Sequence, residues 1–350
     1  MRQNTIATTL LAAFSALWLS SCDQAATSQK NNDAPVKIGI AHCCKPSDPY
    51  PNSVLQSIQA AAKADGRIQL SILNAEDSQE TQAVQMQKLL AENVQAILFS
   101  PVIGGDNQTY QKNLLDAAKK AGIPVVVYVK MIDTTLFHND NNVYYVGAGT
   151  ADSGIQQGEM IARMWGEHPQ WDRNQDGVIQ YVLLKGTENN FDAETRTRWV
   201  QATIENYPGK EIKAQQLALA NANWQRGLAK EQMTAWLDDP ALGNSIEVII
   251  ANSDGMAFGA IDAMQERSMM IPVFGANALP EALPLIRDGK LNGSVSQNAP
   301  EQGREALNLA INLAEKQDLT RNTAYKVIDR ELSVPNLAVD ASNVDQFMQK

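Results

Sequence analysis

From Val36 onward, short runs that are apolar throughout alternate with longer segments whose apolar residues recur at helical spacing. That alternation leaves few folds open. Residues 36–41 (VKIGIA), 68–73 (IQLSIL), 95–100 (QAILFS) and 123–129 (IPVVVYV) read as strands, with helices over 52–64, 78–93 and 110–121. Ser78 is the predicted N-cap of the second helix, with Thr81 where a capping box prefers Glu or Gln. A strand apolar on both faces must be covered on both, so the series predicts a parallel sheet with helices packed on each side. After NNVYYVGAG (141–149) the series restarts, with strands at 177–186, 247–252 and 271–276 and helices at 152–165, 193–206, 224–237 and 255–267. A chain of 350 residues, 44% hydrophobic, can bury two such cores. The expected architecture is α/β: two Rossmann-like lobes with parallel sheets and a cleft between them.

Ligands of such sheets bind beyond the carboxyl ends of the strands. The segments to inspect are therefore 42–44, 100–101, 186–192, 252–254 and 276–278. The first is odd. IGIAHCCKPSDPYPN (38–52) ends a strand in His42, Cys43 and Cys44 and then places three prolines in six residues. A closed metal site needs about four ligands, and no partner cluster is visible in the sequence. The spacing is not the C-x-x-C of a redox pair. A pocket wall, stiffened by a strained vicinal disulfide, is the leading reading, because adjacent Cα atoms lie closer than a disulfide usually spans.

Residues 6–19 form an apolar run of signal-peptide length, ending in LSSC (19–22). This resembles a bacterial lipobox with Cys22 as the lipidated residue; the plainer alternative is a signal peptide beside a stray cysteine. Asp23 is similar to the signal that keeps lipoproteins on the inner membrane. Residues 22–35 are polar and without periodicity, a flexible tether following a leader at 1–21. The folded body is thus expected on the periplasmic face of that membrane, or at the cell surface, held by lipid, as a monomer. The net charge of −10 argues against nucleic acid, whose phosphates need a basic face.

DRNQDGVIQ (172–180) follows the first nine positions of an EF-hand loop. Asp172, Asn174 and Asp176 are alternating oxygen ligands, Gly177 allows the turn, Val178 offers its carbonyl and Gln180 holds position nine. Position twelve, where a bidentate Glu belongs, is Leu183. The expected ion is Ca²⁺, in a structural role; an acidic turn without metal is the simpler reading.

At NNVYYVGAGTADSGIQQGEMIA, WDRNQDGVIQYVLLKG, DAETRTRWV, SIEVIIANSDGMAFGAIDAM and IPVFGANALPEAL the chain resembles the periplasmic galactose/glucose-binding proteins of ABC sugar transporters. The resemblance runs over nearly all of the chain after Val36. It implies a type I periplasmic binding fold, with lobes joined by three crossings and closing on a sugar. It also implies lobes at 36–127 plus 298–333 and at 128–297 plus 334–350. A Glu from a distant strand completes the family's metal site and matches Glu247.

The resemblance carries the family's Asp and Arg that clamp sugar hydroxyls to Asp192 and Arg196, and its stacking tryptophan to Trp224. A sugar offers an apolar C–H face to an aromatic ring and hydroxyls to charged donors and acceptors, so the three belong together. Elsewhere the chain departs. Ser100 and Ser253 replace asparagines, Asn190 a histidine, Asn277 an aspartate and Gln297 an asparagine. Cys43 replaces an aromatic residue, and Asp48 and Tyr50 stand in for the family's Asp and Phe. Wholesale replacement implies a differently substituted sugar or a related polar solute, since a buried hydroxyl without its partner is costly.

His42, His138 and His168 are scattered, without a nucleophile elbow or phosphate loop, so the chain does not read as an enzyme. Sugar-responsive repressors share the fold but begin with a DNA-binding helix pair, which the lipobox replaces here. The expected partners are a sugar, an ABC permease and, as a further candidate, a chemoreceptor. A lipoprotein that senses its ligand for a membrane kinase is the competing reading.

Overall fold

The computed structural model of the chain describes residues 35–138, 142–209 and 212–348. The leader, Cys22 and the tether lie outside these residues. The chain first lays down β1 (Val36–His42), α1 (Pro49–Asp65), β2 (Ile68–Asn74), α2 (Gln79–Ala91) and β3 (Ala96–Phe99). Then come α3 (Asn107–Lys120), β4 (Val125–Tyr128), α4 (Thr135–His138) and β5 (Val143–Ala148). A second series follows: α5 (Thr150–Glu167), β6 (Val178–Lys185), α6 (Phe191–Glu205), β7 (Lys213–Asn221) and α7 (Arg226–Asp238). It continues with β8 (Val248–Ala251), α8 (Asp254–Gln265), β9 (Val273–Phe274), α9 (Ala282–Arg287) and β10 (Gly293–Ser296). The chain ends with α10 (Ala299–Ala314), β11 (Val327–Ile328), β12 (Glu331–Val334), β13 (Leu337–Asp340) and α11 (Asp345–Met348).

The strands form two sheets, β11-β12-β5-β4-β3-β1-β2 and β13-β10-β9-β8-β6-β7. Pairing is parallel except for β11 on β12 and β13 on β10. The unbroken apolar strands have their physical reason here. In β4, Val126 and Tyr128 face a core built with α1 and α10, whereas Val125 and Val127 face one built with α2 and α3. In β8, Ile249 and Ala251 pack with α7 and α8, while Val248 and Ile250 pack with α5 and α6. Each buried Val or Ile contributes about 1.5–3 kcal/mol, so neither face of these strands tolerates a polar residue.

Three crossings join the lobes: at Gly149 before α5, at 297–298 before α10, and at 335–336 between β12 and β13. Asn336 ties two of them together, its Nδ2 donating to Gly149 O at 2.7 Å and Asp152 Oδ2 at 3.0 Å. The expected lobe boundary at 127/128 is corrected by sheet membership. β5 pairs with β4 and β12, so the first lobe continues to Ala148. The segment NNVYYVGAG hides this strand because its glycines interrupt the apolar run.

Ser78 caps α2 as expected, its hydroxyl accepting from Thr81 N at 3.1 Å. α1 starts at Pro49 rather than at residue 52. Proline lacks the N–H that the first helical turn leaves unpaired, so Pro49 and Pro51 open the helix and do not extend the loop.

Candidate ligand-binding site

The two sheets share one strand order, β2-β1-β3-β4-β5 and β7-β6-β8-β9-β10. Each reverses its direction of growth once, between β1 and β3 and between β6 and β8. At such a switch point, adjoining connections leave for opposite faces and open a crevice at the carboxyl ends of the strands.

In the first lobe the crevice wall is the end of β1. His42, Cys43 and Cys44 are fully buried, and Cys43 is disulfide-bonded to Cys44. The two cysteines pack with Ala75 and Val102, and Cys43 Sγ lies 3.1 Å from Ser100 Oγ. The His42 Nδ1 is 2.8 Å from Tyr128 Oη. Burial, aided by the nearby Lys130 charge, pushes its imidazole pKa down to about 4. His42, Cys43 and Cys44 bring their side-chain ligand atoms within 4.8 Å. The bridge consumes both thiols, however, which leaves one imidazole, too few ligands for a metal.

Asp48 occupies the N-cap position of α1 but makes no side-chain cap bond. Its half-buried carboxyl is therefore not used by its own helix. Burial, with Asp77 adding, raises its pKa. Tyr50 Oη accepts from Gln302 Nε2 at 2.7 Å, and the same nitrogen donates to Gln297 O at 2.6 Å. Burial raises the pKa of the Tyr50 phenol, and Arg196 and Asp192 of the second lobe act on it electrostatically. The lobes therefore face each other here.

In the second lobe, Asp192 and Arg196 lie one turn apart on α6. Thr150 Oγ1 donates to Asp192 Oδ1 at 2.8 Å. Arg196 is buried; its guanidinium donates to Asn252 O, while its Nε is buried without a hydrogen bond. Burial lowers its pKa, opposed by Asp192, Tyr50 and Asp254. Trp224 does not open α7, as the sequence suggests, but precedes it. Asn223 and Trp224 both have left-handed backbones, with φ of 50° and 64°. This turn lays the indole on Gly186 at the end of β6, where an added Cβ would lie 2.1 Å from Trp224 Cζ2. No residue but glycine fits beneath that ring.

Five of the substituted positions, Ser100, Asn190, Ser253, Asn277 and Gln297, each use a polar atom within the protein. Asn190 Oδ1 caps α6 by accepting from Ala193 N at 3.0 Å, and Ser253 Oγ caps α8 by accepting from Met256 N at 3.4 Å. Asn277 Nδ2 donates to Gln297 Oε1 at 2.6 Å, and Ser100 meets Cys43. Sequence reasoning passed over Lys130, two residues beyond the end of β4, and placed Asn252 in a segment to inspect without assigning it a role; its buried Nδ2 lacks a partner. Both sit at carboxyl ends of strands, the rule that located the other candidates.

A separate loop joins α5 to β6. Asp172 Oδ1 and Oδ2 accept from Asp176 N (3.1 Å) and Gly177 N (2.9 Å), and Asn174 Oδ1 accepts from Asp176 N at 3.0 Å. Asp176 Oδ1 accepts from Val178 N at 2.8 Å, and its Oδ2 from Gln180 Nε2 at 2.7 Å. Glu247, 2% exposed, reaches the loop and accepts from Arg173 N at 2.8 Å and Gln180 N at 3.2 Å. Gln180 Oε1 is buried without a partner, which suits a cation ligand. Among the described residues, Asp172, Asp176 and Glu247 are not among the acidic groups that converge within 4.8 Å.

A family model described as a periplasmic binding protein domain matches residues 43–318. The D-galactose/methyl-galactoside binding periplasmic protein MglB of Haemophilus influenzae is 35% identical over 313 residues, which cover 89% of this chain and 92% of that one. A periplasmic solute-binding protein from Actinobacillus succinogenes, solved with D-allose, superposes with a TM-score of 0.73 at 22% identity, covering 89% of this chain and 99% of that one. A solute-binding protein from Bacillus halodurans, solved with myo-inositol, gives 0.72 at 22% identity, covering 91% and 99%. The two-lobed α/β architecture agrees with these neighbours. The chain therefore belongs to the periplasmic binding proteins, a family of solute-binding proteins and not of enzymes.

Proposed function

We propose that the protein captures a monosaccharide or a closely related polyol in the inter-lobe cleft and delivers it to an ABC importer. The observation that carries this reading is the placement of Asp192 and Arg196, one turn apart on α6, opposite Tyr50 of the first lobe. Trp224, held flat on Gly186, adds a ring for a C–H face. The 35% identity to a galactose-binding relative supports a sugar. Galactose itself does not follow, because five positions of that pocket carry exchanged polar side chains.

The test is calorimetry with D-galactose, D-glucose, D-allose and myo-inositol. One charge-assisted hydrogen bond contributes about 1.5–3 kcal/mol, so Asp192→Ala should weaken binding roughly tenfold to a hundredfold. Trp224→Ala should cost at least as much and remove most of any ligand-induced fluorescence change. Full affinity in both variants would move the site elsewhere.

Two further features belong to the same reading. The 172–180 loop with Glu247 binds a structural Ca²⁺, supported by its all-oxygen ligand set and the unpartnered Gln180 Oε1. The LSSC sequence makes the protein a lipoprotein anchored through Cys22 on the periplasmic side of the inner membrane.

A further inference from the structure

Cys43 and Cys44 are neighbours in sequence and joined by a disulfide. A bridge stabilises a fold mainly by closing a loop of the unfolded chain, and the gain grows with loop length. Between adjacent residues that loop is the shortest there is, so this bridge does little for stability. Its place in the fold gives it another use. It stands at the carboxyl ends of β1 and β3, the switch point of the first sheet. Cys43 Sγ lies 3.1 Å from Ser100 Oγ. Cys44 Sγ and one carboxylate oxygen each of Asp48 and Asp77 lie within 4.8 Å of one another. The bridge thus reaches from one candidate ligand group, Ser100, to another, Asp48.

The two sides of the bridge differ in firmness. On the Ser100 side, buried Gln82 donates from Nε2 to Ser100 O at 2.8 Å, and its Oε1 accepts from Val102 N at 2.8 Å. Ser100 N also donates to Ala41 O at 3.0 Å. On the other side, Cys44 leads directly into an exposed turn over 45–47. There Lys45 O accepts from Asp48 N at 3.0 Å and from Asn52 Nδ2 at 2.7 Å. The bridge packs with Ala75 and Val102, and all four residues are at most 2% exposed. Two unbonded sulfur atoms need more room than two bonded ones, and an interior at native packing density has none spare. When the bridge opens, the pinned Ser100 side holds, and the exposed turn yields and carries Asp48 with it.

From this placement we propose that Cys43–Cys44 is a redox-modification site that sets the affinity of the cleft through Asp48. The oxidised form binds ligand tightly and the reduced form weakly. The reductant is a dithiol. One of its thiolates attacks a sulfur of the bridge and forms a mixed disulfide, which its second thiol then resolves. The bond between Cys43 and Cys44 is lost and two protein thiols form. The dithiol becomes a disulfide, having given up two electrons and two protons. The periplasm, where the Haemophilus relative resides, is oxidising, so the tight-binding form is the resting one. This inference rests on the sugar-binding reading above.

The experiment titrates the protein calorimetrically with D-galactose, D-glucose, D-allose and myo-inositol, oxidised and after equilibration with dithiothreitol. Alkylation and peptide mass spectrometry read the state of Cys43 and Cys44, and each form is melted without ligand. The compound that oxidised protein binds should bind roughly tenfold to a hundredfold more weakly after reduction and recover on reoxidation. By linkage, the same compound at saturation should shift the equilibrium with dithiothreitol towards the bridge by the same factor. The ligand-free melting temperature should change little. The double variant Cys43→Ala, Cys44→Ala should bind as the reduced protein does and ignore dithiothreitol. Asp48→Asn should bind weakly and lose most of the redox dependence, which a general loosening of the fold would leave in place. Equal affinity in the two redox states overturns the inference alone, as does a bridge in ligand-free protein that excess dithiothreitol does not open. A marked fall in the melting temperature on reduction, or full redox dependence in Asp48→Asn, makes the bridge structural and also overturns it. If oxidised wild type binds none of the four, the sugar reading falls, and this inference with it.

Discussion

His42 and Asp254 are buried at the floor of the two lobes and titrate in opposite senses. Asp254 accepts from Ser294 Oγ at 2.6 Å and Leu279 N at 2.7 Å, yet burial lifts its carboxyl from 3.8 to about 7. The folded state therefore holds this proton where the unfolded chain has lost it, and stability falls as pH rises between about 4 and 7. His42 is pushed from 6.5 to about 4, so the unfolded chain holds the extra proton and stability rises with pH across that window. Between about 4 and 6.5 the two slopes oppose each other. Melting temperatures measured across this range should show a rise with pH in Asp254→Asn that wild type lacks. If the two profiles run parallel, the buried acid does not act as described.

At the scale of elements, the proposed calcium loop depends on strand pairing as much as on its own sequence. β6 and β8 are parallel with Tyr181 beside Val248, which brings Glu247 next to Gln180, where Glu247 N donates to Gln180 O at 2.8 Å. The loop supplies Asp172, Asn174 and Asp176 locally, and the sheet supplies the acid that Leu183 cannot. A ligand that binds only the folded state adds about 2.7 kcal/mol at a hundredfold excess over Kd. Chelation by EDTA should lower the melting temperature, Ca²⁺ should restore it, and Asp176→Ala should abolish the response. Identical melting curves with and without EDTA would remove calcium from this protein.

For the whole molecule, the three crossings let two lobes share one cleft, and attachment to a membrane is a separate matter. Among the described residues no helix is long and apolar enough to cross a bilayer. Anchoring by lipid makes Cys22 indispensable, so Cys22→Ser should move the protein from the membrane fraction to the soluble one on cell fractionation. Retention of Cys22→Ser in the membrane fraction would refute the lipid anchor.

The sequence by itself determined the layered α/β class, because a strand covered on both faces must be apolar at every position and leaves that record locally. It determined the loop at 172–180 for a similar reason, since its oxygens recur within nine residues. β5 and β7 were less legible. Glycines break the run of the first, and the second is an edge strand whose exposed positions, such as Lys213 and Gln215, carry polar residues. Only the tertiary structure decided which lobe β5 joins, that Asn277 and Gln297 bind each other, and that Trp224 needs Gly186 beneath it. Each of these joins segments tens of residues apart or more, and periodicity records whether a residue is buried but not which distant group it meets.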